Sequence, residues 1–171
     1  MRPLPACCSA CDSFCFWAWC VLMALTEKPM NNKHHGSCLC KGISFTIEGE
    51  LEPIQVCHCS QCRHAQGGPV GTNIPVDTAS LSFQSGEDLL QHYESSPGKV
   101  RAFCKVCGSP VFSRRAAVPG VVRIRAGLLS EPVSTHLAFN AYVADKASWW
   151  PLQGDLPAYP AAFKAEPPAM P

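Results

Sequence analysis

From Ile43 onward, apolar and polar residues alternate over short stretches set off by turn residues. Ile43-Ser-Phe-Thr-Ile-Glu48 alternates without a break, which predicts a half-buried strand because successive side chains of a strand point to opposite faces. Gly49 to Pro53 turns the chain, and Ile54-Gln-Val56 runs as a strand into Cys57. Thr72–Val76, Leu81–Gln84, Leu89–Glu94, Lys99–Phe103, Pro110–Ser113, Val121–Ala126 and His136–Val143 continue the β pattern. In Val121–Ala126 the residues Val121, Arg123 and Arg125 oppose Val122, Ile124 and Ala126. Ser85-Gly-Glu-Asp88 and Ser95-Ser-Pro-Gly98 are turn signals. Cys59–Ala65 has room for a short helical turn, broken by Gly67-Gly-Pro69. His34–Gly42 reads as a polar loop, and Trp149-Trp-Pro151 opens a proline-rich tail that ends loosely at Pro171. Strands joined by turns about every eight to twelve residues predict an all-β domain.

Composition sharpens this picture. A length of 171 residues fits one domain with a real core. The 16 prolines and 12 glycines supply the turns that many short strands need. With 14 basic and 13 acidic residues the net charge is +1, which makes no electrostatic case for nucleic acid, a partner that would need a basic face or stripe.

Twelve cysteines are the most informative part of the composition. Seven form clusters: Cys38-Leu-Cys40, Cys57-His-Cys59-Ser-Gln-Cys62 and Cys104-Lys-Val-Cys107. Disulfide pairing explains an even total but not the C-x-C and C-x-x-C spacings, which put several sulfurs within reach of one zinc ion. Cys107-Gly108 completes a knuckle, since glycine admits the positive φ of such a turn. Cys38 and Cys40 pair with Cys104 and Cys107 as a four-thiolate site of structural type. Cys57, Cys59 and Cys62 remain, the count expected where one position stays open for chemistry. A competing pairing of these three with one distant cysteine leaves three thiols unused. His64 is an alternative fourth ligand, whereas His58, between two ligands, reads as an exposed or hydrogen-bonded loop histidine. Arg63 and Lys105, each beside a ligand, are either offsets for thiolate charge or solvated cations. Trp149 and Trp150 read as core or interface rather than a substrate platform.

Residues 1–29 do not share the β pattern. Cys7, Cys8, Cys11, Cys15 and Cys20 lack ligand spacing, and Phe14–Leu25 is an apolar run of twelve, short of the roughly 20 residues a spanning helix needs. The segment reads as an extension outside the domain, either ahead of a start at Met30 or signal-like. The expected organisation is therefore this extension, a zinc-binding domain over 30–165 and a tail over 166–171, with no stable membrane insertion. Thiolate ligands point to a reducing, cytoplasmic setting.

The stretches His34-His-Gly-Ser-Cys38-Leu-Cys40-Lys-Gly-Ile-Ser-Phe45, Cys57-His-Cys59-Ser-Gln-Cys62-Arg63 and Ser95-Ser-Pro-Gly-Lys-Val-Arg-Ala-Phe-Cys104-Lys-Val-Cys107-Gly-Ser-Pro-Val-Phe112 resemble the glutathione-dependent formaldehyde-activating family. Val143-Ala-Asp-Lys-Ala-Ser-Trp-Trp150 is similar to that family's C-terminal segment, and the zinc domain of centromere protein V is of the same type. The resemblance implies a zinc-bound β-tent (Mss4-like) fold of short antiparallel strands with metal knuckles. It also implies carbon–sulfur lyase chemistry on glutathione adducts of small aldehydes, such as S-(hydroxymethyl)glutathione. By similarity, Cys38, Cys40, Cys104 and Cys107 hold a structural zinc and Cys57, Cys59 and Cys62 a catalytic one, two Zn²⁺ per chain. No protein group is assigned as proton donor, for which His58 and His64 are candidates by proximity alone. The alternative is a non-catalytic zinc-stabilised binding module. A chromatin role is disfavoured because no basic extension exists to hold DNA.

Overall fold

The computed structural model describes residues 32–152 and 154–163; the expectations for residues 1–29 and 166–171 lie outside them. Strands dominate, as the alternation predicts. In chain order they are β1 (Lys33–Ser37), β2 (Ser44–Glu48), β3 (Ile54–Cys57), β4 (Gly71–Asp77), β5 (Leu81–Ser85), β6 (Leu90–Ser96), β7 (Lys99–Cys104), β8 (Pro110–Arg115), β9 (Val121–Arg125), β10 (Leu137–Ala141) and β11 (Ala158–Tyr159). The single α-helix among the described residues is α1 (Ser60–Gln66). A small sheet runs β1-β2-β5, and a large one runs β11-β10-β3-β4-β9-β8-β7-β6.

The core lies where the small sheet covers one face of the large sheet. Ile43, Phe45 and Ile47 meet Ile74, Val111 and Ile124 there, all fully buried, and each such side chain stabilises the fold by roughly 1.5–3 kcal/mol. Phe83 of β5 links the layers, with its ring 6.2 Å from that of Phe45 and 6.4 Å from that of Phe112 on β8. Cross-strand pairs keep this face continuous: Ile74 opposes Ile124, Val76 opposes Val122, and Ile124 opposes Phe112.

The period of two places the alternate residues on the other face. Asn73 opposes Arg125, Arg123 opposes Ser113, Ser113 opposes Arg101, and Arg115 opposes Lys99. Gln55 pairs with Asn73 and Cys57 with Gly71 on that same side. A Cβ added at Gly71 would lie 3.3 Å from the Cys62 Cβ and 3.5 Å from the Gln66 Cγ, so α1 rests directly on that glycine. One sheet thus has an apolar face and a face rich in cations and amides.

Three local expectations are corrected. Residues 33–37, read as loop, form β1, because pairing with β2 supplies what local sequence lacks; Gly36 opposes Phe45, and Lys33 Nζ meets Glu48 Oε1 at 2.9 Å. The strands are not uniformly antiparallel: β10 runs parallel to both β3 and β11. Parallel neighbours need a long crossover, here most of the chain between β3 and β10, and such a partner leaves no local mark. Within the proline-rich stretch after Trp149, β11 returns to the sheet, with Asn140 N–H donating to the Pro157 carbonyl at 2.7 Å; its end at Pro171 lies outside the described residues. Trp149 is 67% exposed and so is not core, while Trp150 is half-buried. Among the described residues no helix is long and apolar enough to cross a membrane.

The Phe45 ring occupies the space a side chain at position 36 would need, since a Cβ there would fall 2.3 Å from Phe45 Cζ. Gly36→Ala is expected to destabilise the domain by about 1–3 kcal/mol through overpacking. Gly127→Ala, where a Cβ meets nothing within 4 Å, serves as the control, both measured by urea denaturation. Equal midpoints for the two variants would show that the ring yields freely.

Candidate metal centres

Two groups of sulfurs converge, each with every ligand atom within 4.8 Å of the others: Cys38, Cys40, Cys104 and Cys107 in one, Cys57, Cys59 and Cys62 in the other. None of these cysteines is in a disulfide. The sulfurs lie 3.4 Å apart for Cys38–Cys40, 3.9 Å for Cys40–Cys104 and 3.5 Å for Cys57–Cys59. A tetrahedron with zinc–sulfur arms of 2.3 Å has edges of about 3.8 Å, so both groups have the dimensions and donor chemistry of thiolate metal sites.

The four-sulfur group is built from two tight turns. After β1, Lys41 adopts φ 61 and its N–H donates to the Cys38 carbonyl at 2.9 Å; the Ile43 N–H points at Cys38 Sγ from 3.3 Å. After β7, Gly108 takes φ 76, as the knuckle reading requires, and its N–H donates to the Cys104 carbonyl at 2.9 Å. The Leu39 N–H donates to Ser109 Oγ at 3.0 Å, tying one turn to the other. Cys38 and Cys104 are buried in the core, whereas Cys40 is exposed. The Cys107 thiol is held low, at about 5, first by hydrogen bonds with Ser109. At Cys40 the Gly42 backbone lowers the thiol, but hydrogen bonds with Cys38 and Cys107 outweigh it and push the value up to about 12.

The three-sulfur group sits where β3 ends and α1 begins. Cys59 is the N-cap of α1: its sulfur accepts from the Cys62 N–H at 3.4 Å, the part usually taken by a serine or aspartate oxygen. Gly67, at φ 64, closes the other end of the helix. Cys62 is held at about 2, first by hydrogen bonds with Cys57 and Cys59, against burial, and then by the charges of Arg101 and Arg125. Cys57 is driven well up, first by Cys59 and Cys62 and then by burial. The two arginines thus favour thiolate at this end of the group.

The neighbours take different parts from those their sequence positions propose. His58 is 1% exposed, and its Nε2 lies 2.9 Å from Asn140 Oδ1. Its N–H donates to the Ala141 carbonyl at 2.9 Å. The hydrogen-bonded reading holds, but the residue is buried and fixes the loop between two of the sulfurs. His64 does not join the sulfur group and lines a separate hollow beyond α1. Arg63 Nε donates to the His58 carbonyl at 3.3 Å and Lys105 Nζ to the Asp88 carbonyl at 2.9 Å, so both brace backbone. The cations that face thiolate charge are Arg101 and Arg125, which are distant in sequence from all three sulfurs.

The three-sulfur group opens into a cavity of about 570 Å³. Lys99, Arg101, Arg115 and Arg123 line it with a single carboxylate, Asp145. Phe139 and Phe163 form an apolar wall, their rings 4.6 Å apart, and Tyr159 meets them edge-on at 5.7 Å and 5.0 Å. Tyr142 also reaches the cavity from a left-handed backbone (φ 58, ψ 42), with its N–H donating to the Ala161 carbonyl at 3.0 Å. Such a conformation in a residue other than glycine costs on the order of 1–3 kcal/mol and marks functional positions. The sequence singled out none of these residues for the site, although the alternation that sets Arg123 and Arg125 against an apolar face is a signal for two of the cations.

The family described as glutathione-dependent formaldehyde-activating enzyme matches residues 33–145, well over half of the chain and all seven clustered cysteines. A Schizosaccharomyces pombe protein named an uncharacterized lyase is 30% identical over 80 residues, covering 47% of this chain and 56% of that protein. A crystal structure of a Rhodobacter sphaeroides protein matches 61% of this chain and 99% of its own at 20% identity, with a TM-score of 0.47.

The clasp between His58 and Asn140 gives a direct test of how the three-sulfur loop is held. Asn140→Ala leaves a buried imidazole nitrogen without its partner and is expected to cost about 1–3 kcal/mol. Metal should then leave the three-sulfur group faster under a chelator while the four-sulfur group keeps its rate. Unchanged release from both groups would show that the clasp does not position the ligands.

Proposed function

The chain belongs to the glutathione-dependent formaldehyde-activating enzyme family, and we propose that it is a zinc-dependent carbon–sulfur lyase acting on adducts of glutathione, or a similar thiol, with small aldehydes. The observation that carries this reading is that the three-sulfur group lies on the wall of a cavity of about 570 Å³, which the four-sulfur group does not line. Among the described residues no fourth protein ligand joins Cys57, Cys59 and Cys62. Cys38, Cys40, Cys104 and Cys107 form a complete set, the pattern of a site that stabilises the fold.

Zinc held by Cys57, Cys59 and Cys62 would favour the thiolate form of a substrate sulfur at neutral pH. The surroundings supply the rest. Arg101 and Arg125 balance the charge collected at Cys62. The wall made by Phe139 and Phe163 excludes water from one side of the cavity. Tyr142 and Asp145 are the cavity's titratable groups besides its cations and cysteines, and so the ones placed to exchange a proton with a substrate oxygen. In the addition direction, sulfur attacks the aldehyde carbon and a C–S bond forms; the thiol proton ends on the former carbonyl oxygen. The lyase direction breaks that bond and returns the proton to sulfur. Thiolate ligands need a reducing compartment, so a cytoplasmic location is part of the proposal.

Elemental analysis is expected to give two zinc equivalents per chain, falling to one in a folded Cys59→Ser protein. Cys104→Ser should fail to fold, because metal binding at the four-sulfur group is also folding energy. In the cobalt-substituted protein, glutathione should change the thiolate-to-metal absorption, and Cys62→Ser should abolish that change. A spectrum indifferent to glutathione, with aldehyde and thiol left unjoined in an activity assay, would sink the lyase reading.

A further inference from the structure

A second hollow, of about 440 Å³, opens where α1 faces the strands β6 to β8. No cysteine lines it, and the lyase reading makes no use of it. Its volume is in the range of small-molecule sites. The walls are apolar, with Ala65 on α1, Phe103 on β7 and Pro110 on β8. Tyr93 stands at the outer strand of the sheet, opposite Arg101 in the register of β6 and β7, and also lines the hollow. Its side chain is uncovered there, at 63% exposure.

Two arginines line this hollow, and its lining residues include no carboxylate. Arg101 is 9% exposed and Arg125 3%. Arg101 Nε donates to Ser95 Oγ at 3.0 Å, and Arg125 Nη1 donates to Asn73 Oδ1; both acceptors are neutral. Arg101 Nη1 and Arg125 Nε are buried and have no partner among the described residues. Unpaired buried cations are costly, and proteins retain them where something else brings the counter-charge. The three-sulfur group answers only part of this charge. Three thiolates with one zinc ion would carry a single negative charge, which matches one guanidinium and leaves the other.

We propose that the hollow is a second ligand site, separate from the large cavity, for a monocarboxylic acid with a flat apolar body, an aryl carboxylate in the simplest case. The carboxylate is received by Arg101 and Arg125, and the ring lies against Ala65, Phe103 and Pro110 with Tyr93 at the rim. Arginine suits the task because its planar fork can donate two parallel hydrogen bonds to one carboxylate. A monoanion meets the one uncompensated charge, whereas a dianion would bring an excess into apolar walls. The proposal holds whichever thiol or aldehyde the large cavity takes.

The test compares 2-naphthoate with 2-naphthamide, which share a ring system and differ in charge, by titration calorimetry on the zinc-loaded full chain. Naphthoate should bind at least about tenfold tighter than the amide, the scale of one charge-assisted contact. Arg101→Gln should bring the acid down to the affinity of the amide. Because Arg101 lines the large cavity as well, variants at residues that line one recess alone locate the ligand. Ala65→Trp fills the hollow and should abolish binding, and Tyr93→Ser, at an exposed position that does not endanger folding, should weaken both ligands. Lys99→Gln, in the large cavity alone, should leave both affinities as they are. Equal affinities for acid and amide in the parent protein, or no binding of either, would overturn the proposal. So would binding that survives Ala65→Trp and Tyr93→Ser but is lost in Lys99→Gln, since the acid would then sit in the large cavity.

Discussion

Bringing ionisable sulfurs within 4.8 Å of one another is the constraint on which this structure depends. Like charges at such spacing repel strongly, so the sulfurs must stay largely protonated or share a cation. The four-sulfur group imposes this condition on segments far apart in the chain, since Cys40 and Cys104 are 64 residues apart. One pair of these cysteines follows β1 of the small sheet, and the other, Cys104 and Cys107, comes at the end of β7 of the large sheet. The layers that enclose the core are therefore joined twice, by apolar packing and by the convergence of four sulfurs. Cys38 and Cys104 belong to both, as ligand candidates and as buried core residues.

The same sheet that supplies half the core supplies the floor of the cavity. Strand alternation makes this economical: Val122 and Ile124 pack inward while Arg123 and Arg125 point away, and Ile74 packs inward while Asn73 receives a hydrogen bond from Arg125. Any shift of register by one residue would exchange the two sets, putting guanidinium groups into the core. Fold stability and cavity electrostatics are thus fixed by one pairing pattern. The third component, the sulfur loop, is pinned by His58 to Asn140 on β10 and by α1 resting on Gly71.

Much of this was legible in the sequence, for identifiable reasons. Strands that alternate over a buried and a solvated face, such as 43–48 and 121–126, announce themselves, and the cysteine spacings announced both sulfur groups. What was not legible depended on partners distant in the chain. β1 carries no alternation because pairing with β2 alone makes it a strand. The parallel insertion of β10 and the return of β11 depend on crossovers with no local signature. Proximity in sequence points to Arg63 and Lys105 for charge compensation at the sulfurs, yet those side chains bind backbone carbonyls. The compensating arginines arrive across the sheet. Tyr142 was hidden for another reason, since nothing in its type foretells a left-handed backbone.

The crowding of cations in a recess walled by aromatic rings also governs events before any contact is made. Low-dielectric walls concentrate field lines at a cavity mouth, so an anion diffusing nearby feels a directed pull rather than a diffuse one. Capture then becomes a matter of approach rate as much as of final fit. The rate would be highest in dilute electrolyte and would fall as mobile ions shorten the reach of the field to about 8 Å at physiological ionic strength. A neutral aldehyde would feel none of this and would enter at the pace of ordinary diffusion. On the proposed reading, the cavity's polarity would favour the approach of the acidic partner over that of the uncharged one.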